Sequence, residues 1–279
     1  MGDKDLTEKI LEDYNDVFAD IINVLLFNGQ QKVKPTSLEN SAVHSQYKAE
    51  DNKLHEQERD VSKTWKEYNV ELALYGLENQ THIEKMMPLR IAGYEGASYR
   101  SQFQHGVKKA VPVITLVLYF GDDHWNQPQS LKELMNIPEG LEKYVNDCKI
   151  HVFEIAWLSD EKIKMFKSDF KVVANFFVNK RINKSYVPDD VTEIQHVDEV
   201  LKLLAVMTKD NRYEKVLLNS KGKVSNMCEV AERLENIGRA EGRAEVIRNM
   251  LLKGRTPEEI ADFGDFDLDE IIKIRNEMS

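Results

Sequence analysis

The run Val111-Pro112-Val113-Ile114-Thr115-Leu116-Val117-Leu118-Tyr119-Phe120, stopped by Gly121, constrains the fold more than any other stretch of the chain. A strand this apolar on both faces has no side to offer water, so it belongs in the middle of a sheet that is covered above and below. It falls far short of the roughly 20 apolar residues needed to cross a bilayer. A second strand of similar character is expected over residues 151–157. Ahead of these, Ile10, Leu11, Tyr14, Phe18, Ile21, Ile22 and Leu25 recur at helical spacing, which predicts an amphipathic opening helix over residues 6–27, ended by Asn28-Gly29. Residues 88–107 read as a helix with Pro88 in the first turn, where its missing N–H costs nothing. Further helices are expected at 160–166, 168–180 and 197–208. Helix before sheet, sheet in the middle and helices after it define an α/β layered domain.

Between these elements lie two short alternations. Asp60 opens one that runs through Trp65; a turn is expected at 66–69, and the second runs over residues 70–77 and delivers Glu78. Adjacent antiparallel strands of this spacing set Asp60 beside Glu78. Two carboxylates so placed suit Mg²⁺, which prefers hard oxygen ligands and keeps open positions for water and substrate phosphate. Residues 43–48 are expected to supply the first strand of the sheet.

The segments Glu58-Arg59-Asp60, Glu78-Asn79-Gln80-Thr81 and Pro88-Leu89-Arg90 with Tyr94 resemble the Rpn family of recombination-promoting nucleases and transposase-like proteins, within the PD-(D/E)XK nuclease superfamily. Asn15-Asp16-Val17-Phe18-Ala19-Asp20 and residues 111–125 extend the likeness over about the first two-thirds of the chain. The resemblance implies a restriction-endonuclease-like α/β core (helix, three-strand meander, helix, strand) with a helical C-terminal extension. It implies a Mg²⁺-dependent DNA endonuclease, with Mn²⁺ as a substitute ion, linked to recombination or mobile elements. Asp60 and Glu78 would be the metal ligands and Gln80 the residue that aims the attacking water. Asp20 is the candidate for an additional acidic group, with Asp16 and Glu12 as rivals. Two positions depart from the superfamily pattern: Arg59 stands where proline is usual, and Gln80 where lysine is usual. Glutamine orients water by hydrogen bonds but carries no charge to stabilise a developing anion. Lys63 and Lys85 are the cations near enough in sequence to stand in for it. Arg90 and Tyr94, spaced i, i+4 on one helix face, suit phosphate contact by a forked guanidinium. The missing lysine favours the rival reading, a catalytically inactive nuclease-like protein used for interaction or DNA binding.

The formal charge of −10 argues against indiscriminate coating of DNA, which is driven by clustered Lys and Arg. The densest basic stretch is Lys162, Lys164, Lys167, Lys171, Lys180, Arg181 and Lys184, readable as a docking stripe or as a solvated helix face. Cys148 and Cys228 stand without a CxxC or a neighbouring histidine set, so neither a disulfide framework nor a zinc site is indicated, and a reducing cytoplasm is the expected setting. No export signal or membrane span is expected. Gly121-Asp122-Asp123-His124-Trp125 lacks the spacing of a dedicated metal site and reads as architecture.

Residues 1–185 are expected to form the nuclease-like domain, 186–222 a helical connection, and 223–279 a helical tail. In the tail, Gly238-Arg239-Ala240-Glu241 is repeated as Gly242-Arg243-Ala244-Glu245, giving a long exposed helix with Glu235 reaching Arg239. Its two glycines weaken it by about 1 kcal/mol each, so a partner helix in a homo-oligomer is expected through residues 223–253. Thr256-Pro257-Glu258-Glu259 and Asp267 with Glu270 carry capping boxes for two terminal helices. Those helices have the size of a helix-turn-helix, but the last has more acidic than basic groups and reads as a packing hairpin.

Overall fold

The apolar run becomes β6 (Val113–Tyr119), flanked on both edges by parallel neighbours. A computed structural model describes residues 11–41, 44–48, 54–58, 60–67, 70–220, 224–264 and 266–278. In chain order the described elements of the first part are α1 (Asn15–Leu25), β1 (Leu38–Asn40), β2 (His44–Lys48), β3 (Leu54–Glu58), β4 (Val61–Glu67), β5 (Val70–Gln80), α2 (Met87–Gln104), β6 and β7 (His151–Glu154). There follow α3 (Asp160–Met165), α4 (Phe170–Ile182), α5 (Val197–Thr208), α6 (Arg212–Ser220), α7 (Met227–Leu252), α8 (Pro257–Gly264) and α9 (Leu268–Glu277).

The main sheet is five-stranded in the order β1-β4-β5-β6-β7. β1, β4 and β5 are antiparallel neighbours; β6 then pairs parallel to β5 and β7 parallel to β6. This is a mixed α/β architecture, and the parallel step from β5 to β6 requires the crossover that α2 provides. Packing divides the chain into two compact units, Met1–Val187 with Ile194–Asp210, and Pro188–Glu193 with Asn211–Ser279. The residues expected to form a connection divide between them, α5 in the first unit and α6 in the second.

Several boundaries differ from expectation for visible reasons. The opening helix is interrupted: residues 11–12 are helical, 13–14 turn, and α1 starts at Asn15, while residues 6–10 lie outside the described residues. The buried ammonium of Lys63 takes the Asp13 carbonyl at 2.7 Å, so that oxygen is withdrawn from the helical ladder. The first strand of the sheet is β1, not residues 43–48; β1 occupies the outer edge of β4, and β2 pairs with β3 as a separate two-stranded ribbon. Val43 and the centre of the expected turn, residues 68–69, lie outside the described residues. The three antiparallel neighbours of a meander are therefore present, with the β2–β3 ribbon inserted between the first and second. The strand expected over 151–157 ends at Glu154 and continues as a 3₁₀ turn, Ile155–Trp157.

In the second unit, Asn226 caps α7 by accepting from the Glu229 N–H at 3.0 Å, and Gly254 at φ 81° follows its end. Thr256 and Glu259 form the expected reciprocal capping box. Asp267 caps α9 through the Asp269 N–H at 2.8 Å, whereas Glu270 lies 3.9 Å from Arg243 on α7. Ile247, Ile260, Ile271 and Ile274 from α7, α8 and α9 form one apolar cluster. Among the described residues no helix is long and apolar enough to cross a membrane.

Candidate functional site: a carboxylate pair at the strand ends

The pairing of β4 with β5 determines which side chains share a face. Val61 is in register with Leu77 and Lys63 with Tyr75, so Asp60, one step before Val61, stands opposite Glu78. Alternation then divides these strands into two sets. Val61, Lys63, Trp65, Ala73, Tyr75, Leu77 and Asn79 share the face toward α1, where Lys63 lies 5.6 Å from the Phe18 ring centroid and Trp65 packs edge-on to Phe27. Asp60, Glu78 and Gln80 share the other face. There Glu78 is in register with Val117 and, across β6, with Val152, both packed in the cluster that holds Met87, Ile91 and Tyr94 of α2.

On that face the named residues gather. Glu78 is only 1% exposed. Its Oε1 accepts from the Arg90 guanidinium at 2.5 Å and from the Gln80 amide at 3.2 Å. Arg90 in turn donates to the Tyr94 hydroxyl at 3.0 Å, the i, i+4 pair expected on α2. Asp60 is tied to the same place through the backbone, its Oδ2 accepting from the Asn79 N–H at 2.6 Å. Burial works against the Arg90 charge, but Glu78, the Tyr94 hydroxyl and Asp60 outweigh it and raise its pKa. Burial also raises the pKa of Tyr94, assisted by Glu78 and opposed by Arg90, so the phenol stays protonated. The arrangement offers two carboxylates, a fixed cation, an amide and a phenol on one surface at the carboxyl end of β5.

The other acidic candidates go elsewhere. Asp20 is buried, and its Oδ2 accepts the Lys167 and Ser168 N–H groups at 2.7 Å each, holding the turn before α4. Asp16 lies 3.2 Å from the His196 ring nitrogen. Glu12, 3% exposed, accepts from the Asn79 side-chain amide at 2.6 Å. Asn79 therefore serves both sides of the sheet, holding Asp60 with its backbone and Glu12 with its side chain. Sequence reading passed over Asn79, although an amide in phase with Ala73, Tyr75 and Leu77 was the visible signal. Neither candidate stand-in for the absent lysine joins the site by a described contact: Lys63 is fully buried on the α1 face, bonded to Asp13 and Asn40, and Lys85 is exposed in the turn before α2.

In the basic stretch, Lys162 bonds the Val24 carbonyl and Asn28, Arg181 bonds the Ala156 carbonyl, and Lys184 pairs with Asp122, while Lys164 and Lys167 are exposed. Part of that stretch is thus structural.

A mixed five-stranded sheet covered by helices, with paired carboxylates and an arginine at the strand ends, defines an α/β protein built around a polar surface site. The model of the family described as putative transposase, YhgA-like, matches residues 51–212, more than half of the 279 residues and the whole stretch from Asp60 to Tyr94. The chain belongs to this family, part of the PD-(D/E)XK/Rpn-like transposase group. Comparison with curated proteins and with solved structures gives no match.

Proposed function

We propose that the chain is a metal-dependent DNA endonuclease with a restriction-endonuclease-like core, hydrolysing phosphodiester bonds with Mg²⁺ as the ordinary ion and Mn²⁺ as a substitute. The observation that carries this reading is the placement of Asp60 opposite Glu78 on one sheet face, with Arg90 held against Glu78. Family membership supports a nuclease-like role, and helix, antiparallel strands, helix and parallel strand is the element order such a core has.

The donor set suits the ion. Among the described residues no group of three or more His, Cys, Asp or Glu is gathered as a ligand cage. Mg²⁺ is commonly bound through one or two carboxylates, with water and substrate phosphate completing its shell. Asp60 and Glu78 would hold it, and when bound it supplies charge stabilisation at the phosphate and a water of lowered pKa. Gln80 directs a water by hydrogen bonds from its amide. Arg90 keeps a permanent positive charge beside Glu78, where a phosphate oxygen would come to rest. Tyr94, kept protonated, orients that guanidinium. Self-association through the 223–253 helix belongs to the same proposal.

A second reading, a catalytically inactive nuclease-like protein that binds DNA or another protein, is favoured by the double hydrogen bonding of Glu78 Oε1, which closes the site on itself. Supercoiled plasmid incubated with Mg²⁺ or Mn²⁺ separates the two. The nuclease reading expects nicking or linearisation by the wild type and none by Asp60→Ala; equal behaviour of the two proteins removes it.

A further inference from the structure

The loop after β6 holds a feature that the carboxylate site does not use. A cavity of about 360 Å³ lies where His124, Trp125, Gln129, Glu154 and Trp157 converge. We propose that this cavity is a nucleobase pocket that takes an unstacked base bearing an exocyclic amino group, and rejects thymine, beside the phosphate bound at Asp60 and Glu78. The proposal rests on the nuclease reading for its neighbouring phosphate.

Position supports it. Gln80 is in register with Tyr119, and Tyr119 with Glu154, so Glu154 lies on the same face two strand spacings from Gln80, roughly 10 Å away. A nucleotide adjoining the scissile phosphate spans such a gap.

The walls are rigid and planar. His124 stacks on Trp157 with ring centroids 3.6 Å apart, and Arg181 lies 3.7 Å from the same indole centroid. Groups that close to one ring must occupy opposite faces, so the indole is clamped between them, and Arg181 is itself held by the Ala156 carbonyl at 2.8 Å. His124 is the outer plane of this stack, its side chain 62% exposed, and presents an open aromatic face of the kind on which bases stack.

The polar groups select the edge of the base. Glu154 is fixed by the Trp125 N–H at 2.5 Å and the His124 ring at 3.1 Å, and a carboxylate with about four acceptor sites retains capacity for an amino group. The indole N–H groups of Trp125 and Trp157 are buried with no acceptor among the described residues, so the polar selection falls to the Glu154 carboxylate. Burial, and after it Asp123, Glu154 and Asp122 close by, raise the pKa of Tyr119. Lys184 pairs with Asp122 and Arg181 lies against Trp157, so the Glu154 carboxylate is the group that attracts an amino group on the base edge. Thymine, with a carbonyl where cytosine carries its amino group, meets the carboxylate with like polarity.

The chain has three tryptophans, and the third, Trp65, packs against Tyr75 on the opposite sheet face, which provides an internal reference. The indole N–H resonances of the full-length protein, titrated without metal with deoxycytidine, deoxyguanosine and thymidine, test the pocket. The Trp125 and Trp157 signals should move with the first two nucleosides, with thymidine binding about tenfold more weakly and Trp65 unmoved. Glu154→Gln should abolish that preference, and His124→Ala should weaken all three nucleosides alike. An equal response to thymidine, or a response at Trp65 as large as at the other two, or none at all, overturns the pocket. Because this readout is binding in the absence of metal, it stands apart from the plasmid assay: loss of cleavage in that assay removes the nuclease and leaves the pocket result to be read by itself.

Discussion

The two faces of the β4–β5 pair carry the same kinds of residue and use them differently. Toward α1, Lys63 is fully buried and bonded to the Asp13 carbonyl, the Asp13 carboxylate and Asn40, so its charge closes the start of α1 onto the sheet. Toward α2, Arg90 is bonded to Glu78 and Tyr94 but its side chain keeps 42% exposure, within reach of an incoming anion. A cation near a strand is thus no signal of chemistry in itself; what distinguishes the two is whether any of the charge still faces solvent. The carboxylates are not separated by exposure, Glu78 being 1% and Asp20 5% exposed; they differ in partners, Asp20 being engaged by backbone N–H groups of the turn before α4 while Glu78 meets Arg90 on the face it shares with Asp60.

If this division holds, the largest effect belongs to Asp60→Asn, which removes ligand charge at constant volume. Metal-dependent cleavage should fall by on the order of 100-fold or more with the melting temperature nearly unchanged, read by plasmid conversion beside thermal unfolding. Next comes Lys63→Met, which strands the Asp13 carbonyl and Asn40. Because Asp13 is more than half exposed, the loss should be less than for a fully buried ion pair, about 2 kcal/mol by denaturant unfolding; no loss would show that the α1 face does not depend on it. A smaller effect is expected of Gln80→Lys, which places a cation beside the reacting phosphate and should leave cleavage equal to or above the wild-type rate. A folded, inactive Gln80→Lys protein would show that the amide has a task lysine cannot perform. The smallest effect tests the second unit: a Cβ added at Gly242 meets nothing within 4 Å, so Gly242→Ala should stabilise α7 by about 0.5–1 kcal/mol. A drop in stability together with a drop in oligomer mass by light scattering would instead place a partner helix against that position.

Much of this division was readable from residue order. The boundaries of α5 coincide with its apolar period, and the strands bearing Asp60 and Glu78 follow from two alternations with a turn between them. β1 was not readable, because Leu38-Glu39-Asn40 is a short edge strand with one buried side chain and no alternation to detect. The break at Asp13 and the Glu12–Asn79 bond are long-range: they depend on which helix end meets which strand, information that local periodicity does not carry. The placement of Asp20 away from the carboxylate pair has the same origin, since a helix position alone does not say which loop will bring its N–H groups.

The most direct test of the account measures cleavage and melting on one pair of variants, Glu78→Gln and Lys63→Met, in the same buffer with Mg²⁺. The two-face division predicts opposite outcomes: Glu78→Gln, whose amide oxygen still accepts from Arg90 and Gln80, loses cleavage with only a small drop in melting temperature, while Lys63→Met, which keeps no donor for Asp13 and Asn40, melts lower and, below its transition, keeps its cleavage rate per folded molecule. Loss of both properties in both variants, or full cleavage by Glu78→Gln, would contradict it.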